Sequence, residues 1–347
     1  MNNIRVSRID LLRTIKIIII IIANSIPYIL VSPHSIWLRI ISSLAALLFI
    51  FLVGFSFFLS FNNNQNYRNK YFQIFYLFCS AILLNITIWH IMPFQTFDVL
   101  YLISCGLLIN ILIFKLNLSL KLIVAFLFIC TSFVLQNIFN YRFNIPDIQL
   151  QHINWSQFNW GNLYKFRRCF NDGWTPIFPW IGIAILGHII AQKIELIIQH
   201  KILIKWSSLF LILIFGFFLI NKELVSPERQ GYLELFYPPS LLFIFFELSF
   251  ILLLFSLVYN LKSINSPKFK FLIILGLNSL LIYLFYALII SYVLQSFFIP
   301  PSLFLFLPTV LIFIFTCFLL AFIIEWIEKN NYLKFLSRPL KSVLGLK

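Results

Sequence analysis

The feature that most restricts this chain is the repeated run of about twenty apolar residues, the length a helix needs to cross a bilayer. Such runs occupy roughly 11–31, 37–60, 71–91, 97–114, 119–138, 175–199, 203–221, 239–260, 270–297 and 302–326. Of the 347 residues, 61% are hydrophobic and 11% are charged, whereas soluble domains are about half apolar and about a quarter charged. One aqueous core cannot hide that much apolar surface, so lipid is the solvent this sequence asks for. The expectation is an all-α, polytopic integral membrane protein with about ten transmembrane helices. It forms one transmembrane domain over 1–347, with a long extracytoplasmic loop at about 140–174.

The formal net charge of +15 would suit nucleic acid if it formed a stripe interleaved with stacking aromatics, but the basic residues are spread thinly, so no nucleic-acid partner is expected. They instead follow the rule that Lys and Arg mark cytoplasmic connections. Arg5, Arg8, Arg13 and Lys16 open the first helix, and Arg68, Lys70, Lys115, Lys121, Lys193, Lys201, Lys205, Lys262, Lys268 and Lys270 fall in alternate connections. The tail carries Lys329, Lys334, Arg338, Lys341 and Lys347, while "SPHS", "HIMPFQT" and "FIPPS" on the other side carry no basic residue. Both termini are therefore expected in the cytoplasm, in a membrane that would be the bacterial inner membrane. Arg39, Lys222 and Arg229 run against the pattern, as do Arg142, Lys165, Arg167 and Arg168 of the long loop, a class of segment the rule governs poorly. Four of the five cysteines lie in apolar segments, with no disulfide framework and no metal-ligand spacing, so no metal is expected.

Ionisable residues at membrane depth are costly and so become functional candidates. Glu247 in "LLFIFFELSFILLLF" and His188 in "ILGHIIAQ" are deepest, and each has a plain alternative as a buried, hydrogen-bonded structural group. His34, His90 and Asp98 gather at the outer end, where a helix-end histidine is commonly an interfacial anchor. The outer loop "LQHINWSQFNWGNLYKFRRCFNDGW" mixes aromatics with amides and acids. Such a set stacks on sugar C–H faces and bonds hydroxyls, although an interfacial aromatic belt has similar composition. Asp10 and Arg13 are three apart and share a helix face, which an ordinary helical ion pair explains. The basic inner face suits a phosphate-rich donor and equally suits anionic lipid headgroups.

Several stretches, in order, resemble the heparan-α-glucosaminide N-acetyltransferase catalytic family, in its bacterial branch. "RIDLLRTIKIIIIIIANSIPYILVSPHSIW" is similar to the family's opening pattern, with Asp10, Arg13, Asn24, His34 and Trp37 on its positions. "FIFLVGFSFFLS", "TFDVLYLISCGLLI" with Asp98, and "GWTPIFPWIGIAILGHII" with Trp174 and Trp180 resemble later segments, and "LGLNSLLIYLFYALI" places Asn278 in a final Gly-x-Asn-Ser motif. The resemblance implies an enzyme that carries acetyl from cytosolic acetyl-CoA to an amino or hydroxyl group of an extracytoplasmic sugar or glycolipid. His34 would act as general base or acyl carrier, Asn24 would orient the imidazole or hold the thioester carbonyl, and Asn278 would donate to the oxyanion. Asp10, Arg13, Trp37, Asp98, Trp174, Trp180 and Glu247 would bind substrate. Thr14 stands where the family has Gly, Lys16 adds a charge to the first helix, and "SSLAA" and "YLFYA" also depart from the pattern. The alternatives are a transporter or flippase for a lipid-linked sugar, and a member of the fold that has lost its chemistry.

Overall fold

A computed structural model describes residues 2–30, 34–63, 65–138, 167–220, 241–261, 267–294 and 303–330. Among these every regular element is a helix. They are α1 (Asn2–Ile29), α2 (Ile36–Asn63), α3 (Tyr67–Thr87), α4 (Val99–Ile113), α5 (Leu118–Ile138), α6 (Ile177–Gln192), α7 (Ile194–Gln199), α8 (Lys201–Ile220), α9 (Leu241–Asn260), α10 (Pro267–Leu277), α11 (Ser279–Ile289) and α12 (Leu303–Lys329). Short π-helical turns at Arg168–Asp172 and Ile290–Leu294 precede α6 and follow α11. The first part of the expected long loop, residues 139–166, lies outside the described residues, as do Lys222, Arg229 and the basic tail beyond 330.

Local chemistry sets several boundaries. Asn66 accepts from the Asn69 amide at 3.0 Å, Asp98 from the Val99 amide, and Asn117 from the Leu120 amide at 2.9 Å. Each satisfies a donor that a helix start leaves without an intrahelical acceptor.

Four helical stretches are long and apolar enough to cross a membrane, Leu38–Asn62, Tyr67–Thr87, Leu118–Ile138 and Phe304–Lys329. A fifth arises if Phe271–Leu277 and Ser279–Val293, bent 82° apart, count as one broken span. Together with the apolar faces that α5 and α12 expose, they make this an integral membrane protein of four to five candidate spans. The helices α4 and α6 match two expected spans but have 15 and 16 residues. At 1.5 Å per residue that is about 22–24 Å, short of a hydrocarbon core of about 30 Å. Two expectations need correction. The run at 270–297 is not one helix but breaks at Asn278, and the run at 175–199 breaks at Lys193 into α6 and α7.

The chain divides into two compact units. One comprises Met1–Leu48, Glu195–Tyr237 and Leu242–Lys347, the other Phe49–Ile194 and Pro238–Leu241. In the first, α10 lies against α1 so closely that a Cβ on Gly276 would collide with the Asp10 carbonyl oxygen. The Thr14 hydroxyl fastens the pair, shared between Leu272 O at 2.6 Å and Asp10 O at 3.0 Å. This gives a physical role to the threonine that departs from the family's glycine. Further along α1, the Tyr286 hydroxyl of α11 donates to Ile21 O at 3.1 Å. In the second unit, α2 and α6 meet through small residues. A Cβ on Gly54 would strike Ala184 O, and one on Gly187 would strike Phe51 O, the close backbone approach by which helices associate in lipid.

Candidate functional site

His34 sits in the turn between α1 and α2, half-buried, with its Nε2 3.4 Å from Leu30 O. Asn24, ten positions earlier, is exposed on α1. The Trp37 backbone opens α2, and its side chain lies outside the described residues. Near the other end of α1, Arg13 Nη1 donates to Asp10 Oδ1 at 2.8 Å. Asp10 is buried while the Arg13 side chain keeps 30% of its surface. The same end holds Arg8, whose Nη2 reaches Leu261 O at 3.5 Å and whose guanidinium lies 5.0 Å above the Tyr259 ring. Asp10 thus belongs to the joint between α1 and α10, with Arg13 bonded to it from its own helix. Glu247 is fully buried in α9.

Asn278 precedes α11 at the helix break, buried, with no side-chain capping bond. Its carbonyl accepts from Ile282 N at 3.1 Å. Because Gly276 touches Asp10, Asn278 lies beside the first turns of α1. Twenty helical residues separate Asp10 from Leu30, about 30 Å at 1.5 Å each. His34 and Asn278 are therefore more than about 20 Å apart, near opposite ends of one helix. The oxyanion role expected of Asn278 and the base role expected of His34 thus fall toward different ends of that helix.

In the second unit Asp98 caps α4. Trp174 leads into α6, its amide donating to Thr96 O at 2.6 Å and its ring meeting Trp89 edge-on at 6.0 Å between centroids. Trp180 is buried within α6. Cys169, in the π-turn before α6, is held in its thiol form. Burial, reinforced by Cys105, pushes its pKa up to about 12, so it offers no nucleophilic thiolate near neutral pH. Among the described residues no group of three His, Cys, Asp or Glu could hold a metal ion.

The most connected polar cluster was only half visible in the sequence. His188 is wholly buried, with Nδ1 2.8 Å from Asn110 Oδ1 and Nε2 3.1 Å from Lys121 Nζ. Lys121 also donates to Gln192 Oε1 at 3.1 Å, and Asn110 Nδ2 to Gly106 O at 2.7 Å. The rings of Phe57, Phe58 and Phe114 surround the imidazole at 5.0–6.0 Å. His188 stood out as a deep ionisable group, whereas Lys121 read as a mark of orientation and Asn110 was passed over. The available signals were an amide inside the apolar "GLLINILI" and the i, i+4 spacing of His188 and Gln192 on one face.

The family profile described as Heparan-alpha-glucosaminide N-acetyltransferase, catalytic, matches residues 5–222. The chain belongs to this family. That makes it a member of a membrane acetyltransferase family whose general donor is acetyl-CoA. The match encloses His34, the Asp10–Arg13 pair and nearly all of the second unit; Glu247 and Asn278 fall beyond it. No curated protein matches the chain.

Proposed function

We propose that the protein transfers an acetyl group from acetyl-CoA to an amino or hydroxyl group of a sugar or glycolipid on the far side of the membrane. The observation that carries this reading is the unbroken α1, which joins a basic end to a histidine turn. Arg8 and Arg13 at the first end suit the donor's phosphates, and Asn278 beside them supplies an amide that caps nothing. The thioester extends from there toward His34. The imidazole takes the proton from the acceptor, the acceptor's N or O attacks the thioester carbonyl, and the thiolate leaves to be protonated as CoA. In this reading both termini are cytoplasmic, about ten helices cross a bacterial inner membrane, and the acceptor is an envelope glycan.

The test is transfer of label from radiolabelled acetyl-CoA to envelope glycan extracts by protein in nanodiscs. His34→Ala is expected to lower the rate about 10²–10⁴-fold, the usual contribution of a general base, with an unchanged melting temperature. Wild-type turnover in that variant refutes the assignment. The helix broken at Asn278 favours a second reading, a transporter of a lipid-linked sugar, because broken helices build substrate sites in that class. Glycolipid movement across the bilayer without any acyl-CoA would select it.

A further inference from the structure

One end of the second unit gathers cations and, among the described residues, no acid. The α2–α3 and α4–α5 connections meet there, because the Phe61 ring lies edge-on to Tyr67 at 4.9 Å and to Phe114 at 4.8 Å between centroids. Arg68 and Lys70 stand in the first turn of α3, Lys115 in the connection before α5, and Lys121 in the first turn of α5. Lys193 ends α6, and the bond from Lys121 Nζ to the adjacent Gln192 brings it to the same end. Arg68, Lys115 and Lys193 are exposed. The described acids of this unit, Asp98 and Asp172, lie at the opposite end, before α4 and before α6. Glu195, two residues past Lys193, belongs to the first unit.

A helix start favours anions, yet neither α3 nor α5 has an acid in its first turn, and both present cations instead. The ammonium groups that turn inward are held by neutral atoms. Lys70 Nζ donates to Ser60 Oγ at 3.0 Å and Gln73 Oε1 at 3.2 Å, and Lys121 Nζ to Gln192 and His188. Such bonds fix the position of a charge without cancelling it. The surroundings of these charges select the anion that does. Both α3 and α5 are candidate spans, and apolar side chains continue from the cations along each. Tyr71, Phe72 and Phe75 are exposed on α3, with Phe75 keeping 62% of its surface, and Leu120, Ile123 and Leu127 form an exposed stripe on α5. A free phosphate or nucleotide has no use for those faces, whereas a phospholipid sets its phosphate among the cations and its acyl chains along the helices. The Arg68 guanidinium, 5.8 Å above the Phe72 ring, stands at that junction, and its planar fork matches phosphate.

We propose that this end of the second unit binds the headgroups of anionic phospholipids through Arg68, Lys115 and Lys193, with the acyl chains against the exposed faces of α3 and α5. These are not the residues that suit the donor's phosphates, Arg8 and Arg13 of the first unit, and the surface does not depend on the transferase reading.

Thermal melting of the full chain in detergent micelles, titrated with dioleoylphosphatidylglycerol, dioleoylphosphatidylcholine or inorganic phosphate, tests it. Wild type is expected to show a saturable rise in Tm with phosphatidylglycerol alone. Each basic residue near anionic headgroups is worth about fivefold. Combined Arg68→Gln, Lys115→Gln and Lys193→Gln should therefore raise the phosphatidylglycerol concentration of half effect at least about tenfold. A Lys201→Gln, Lys205→Gln variant, altered on α8, should stay within about twofold of wild type. Raising salt from about 0.05 M to about 0.5 M should weaken the wild-type response severalfold by screening. Equal stabilisation by phosphatidylcholine or by inorganic phosphate, a response indifferent to salt, a triple variant that titrates like wild type, or an α8 variant weakened as much as the triple would each overturn the proposal.

Discussion

Enclosed by three phenyl rings, His188 has one arrangement of protons that satisfies its neighbours. Lys121 Nζ only donates, so Nε2 accepts, and Nδ1 carries the hydrogen given to Asn110 Oδ1. The Asn110 amide then spends a hydrogen on Gly106 O, a carbonyl in its own helix. The imidazole is thus neutral and fixed, which suits a structural strut better than a proton carrier. Asn110→Ala leaves a buried N–H without an acceptor and should cost about 1–3 kcal/mol, read as a lowered melting temperature. Asn110→Asp restores the acceptor for Nδ1 but sets an oxygen against the Gly106 carbonyl, so it should recover only part of that loss. Equal melting of wild type and Asn110→Ala would show that the chain of bonds contributes nothing. The histidine was legible in the sequence because a titratable group in an apolar run is conspicuous. Lys121 was not, because a lysine near a helix end reads equally as a topological marker, and only the fold turns its side chain inward.

At the scale of elements, the joint of α1 with α10 and the break that follows decide where the motif residues go. The apolar run at 270–297 looked continuous because hydropathy averages over a window, whereas Gly276, Asn278 and Ser279 are turn-forming residues that such averaging hides. Gly276 serves close approach, since any β-carbon there meets the Asp10 carbonyl. Gly276→Ala should therefore destabilise by about 1–3 kcal/mol through overpacking. The uncrowded comparison is Gly216 on α8, half-buried, whose added β-carbon meets nothing within 4 Å. Gly216→Ala should be neutral or gain about 0.5–1 kcal/mol from helix propensity. Thermal melts of the pair separate packing from propensity, and a Gly276→Ala variant as stable as Gly216→Ala would refute the tight joint. The helix starts at Asn66 and Asp98 were better recorded in the sequence, because a capping side chain acts on its own neighbours.

At the scale of the whole molecule, the order of motifs along the chain carried the family but not the height of each residue in the membrane. Asp10, Arg13, Asn24 and His34 follow one another within thirty positions, yet α1 puts the first two near Asn278 and the turn with His34 at its opposite end. A sequence motif compresses this into spacing, and the helical rise of 1.5 Å per residue expands it again. Residues grouped by one motif therefore lie at two places, as the proposed transfer across a bilayer would require. The division shows in kinetics. Asn278→Ala removes no helix-capping side-chain bond among the described residues, so in the proposed reading its loss should fall on donor binding. The KM for acetyl-CoA should rise about 2–10-fold, the worth of one hydrogen bond, with kcat nearly kept. His34→Ala should lower kcat about 10²–10⁴-fold and leave the donor KM within about twofold of wild type. Steady-state rates over a range of acetyl-CoA concentrations measure both. If the two variants instead lowered kcat alike at constant KM, Asn278 and His34 would have to meet at one reacting centre, and the continuous α1 that sets them more than about 20 Å apart could not be the working form.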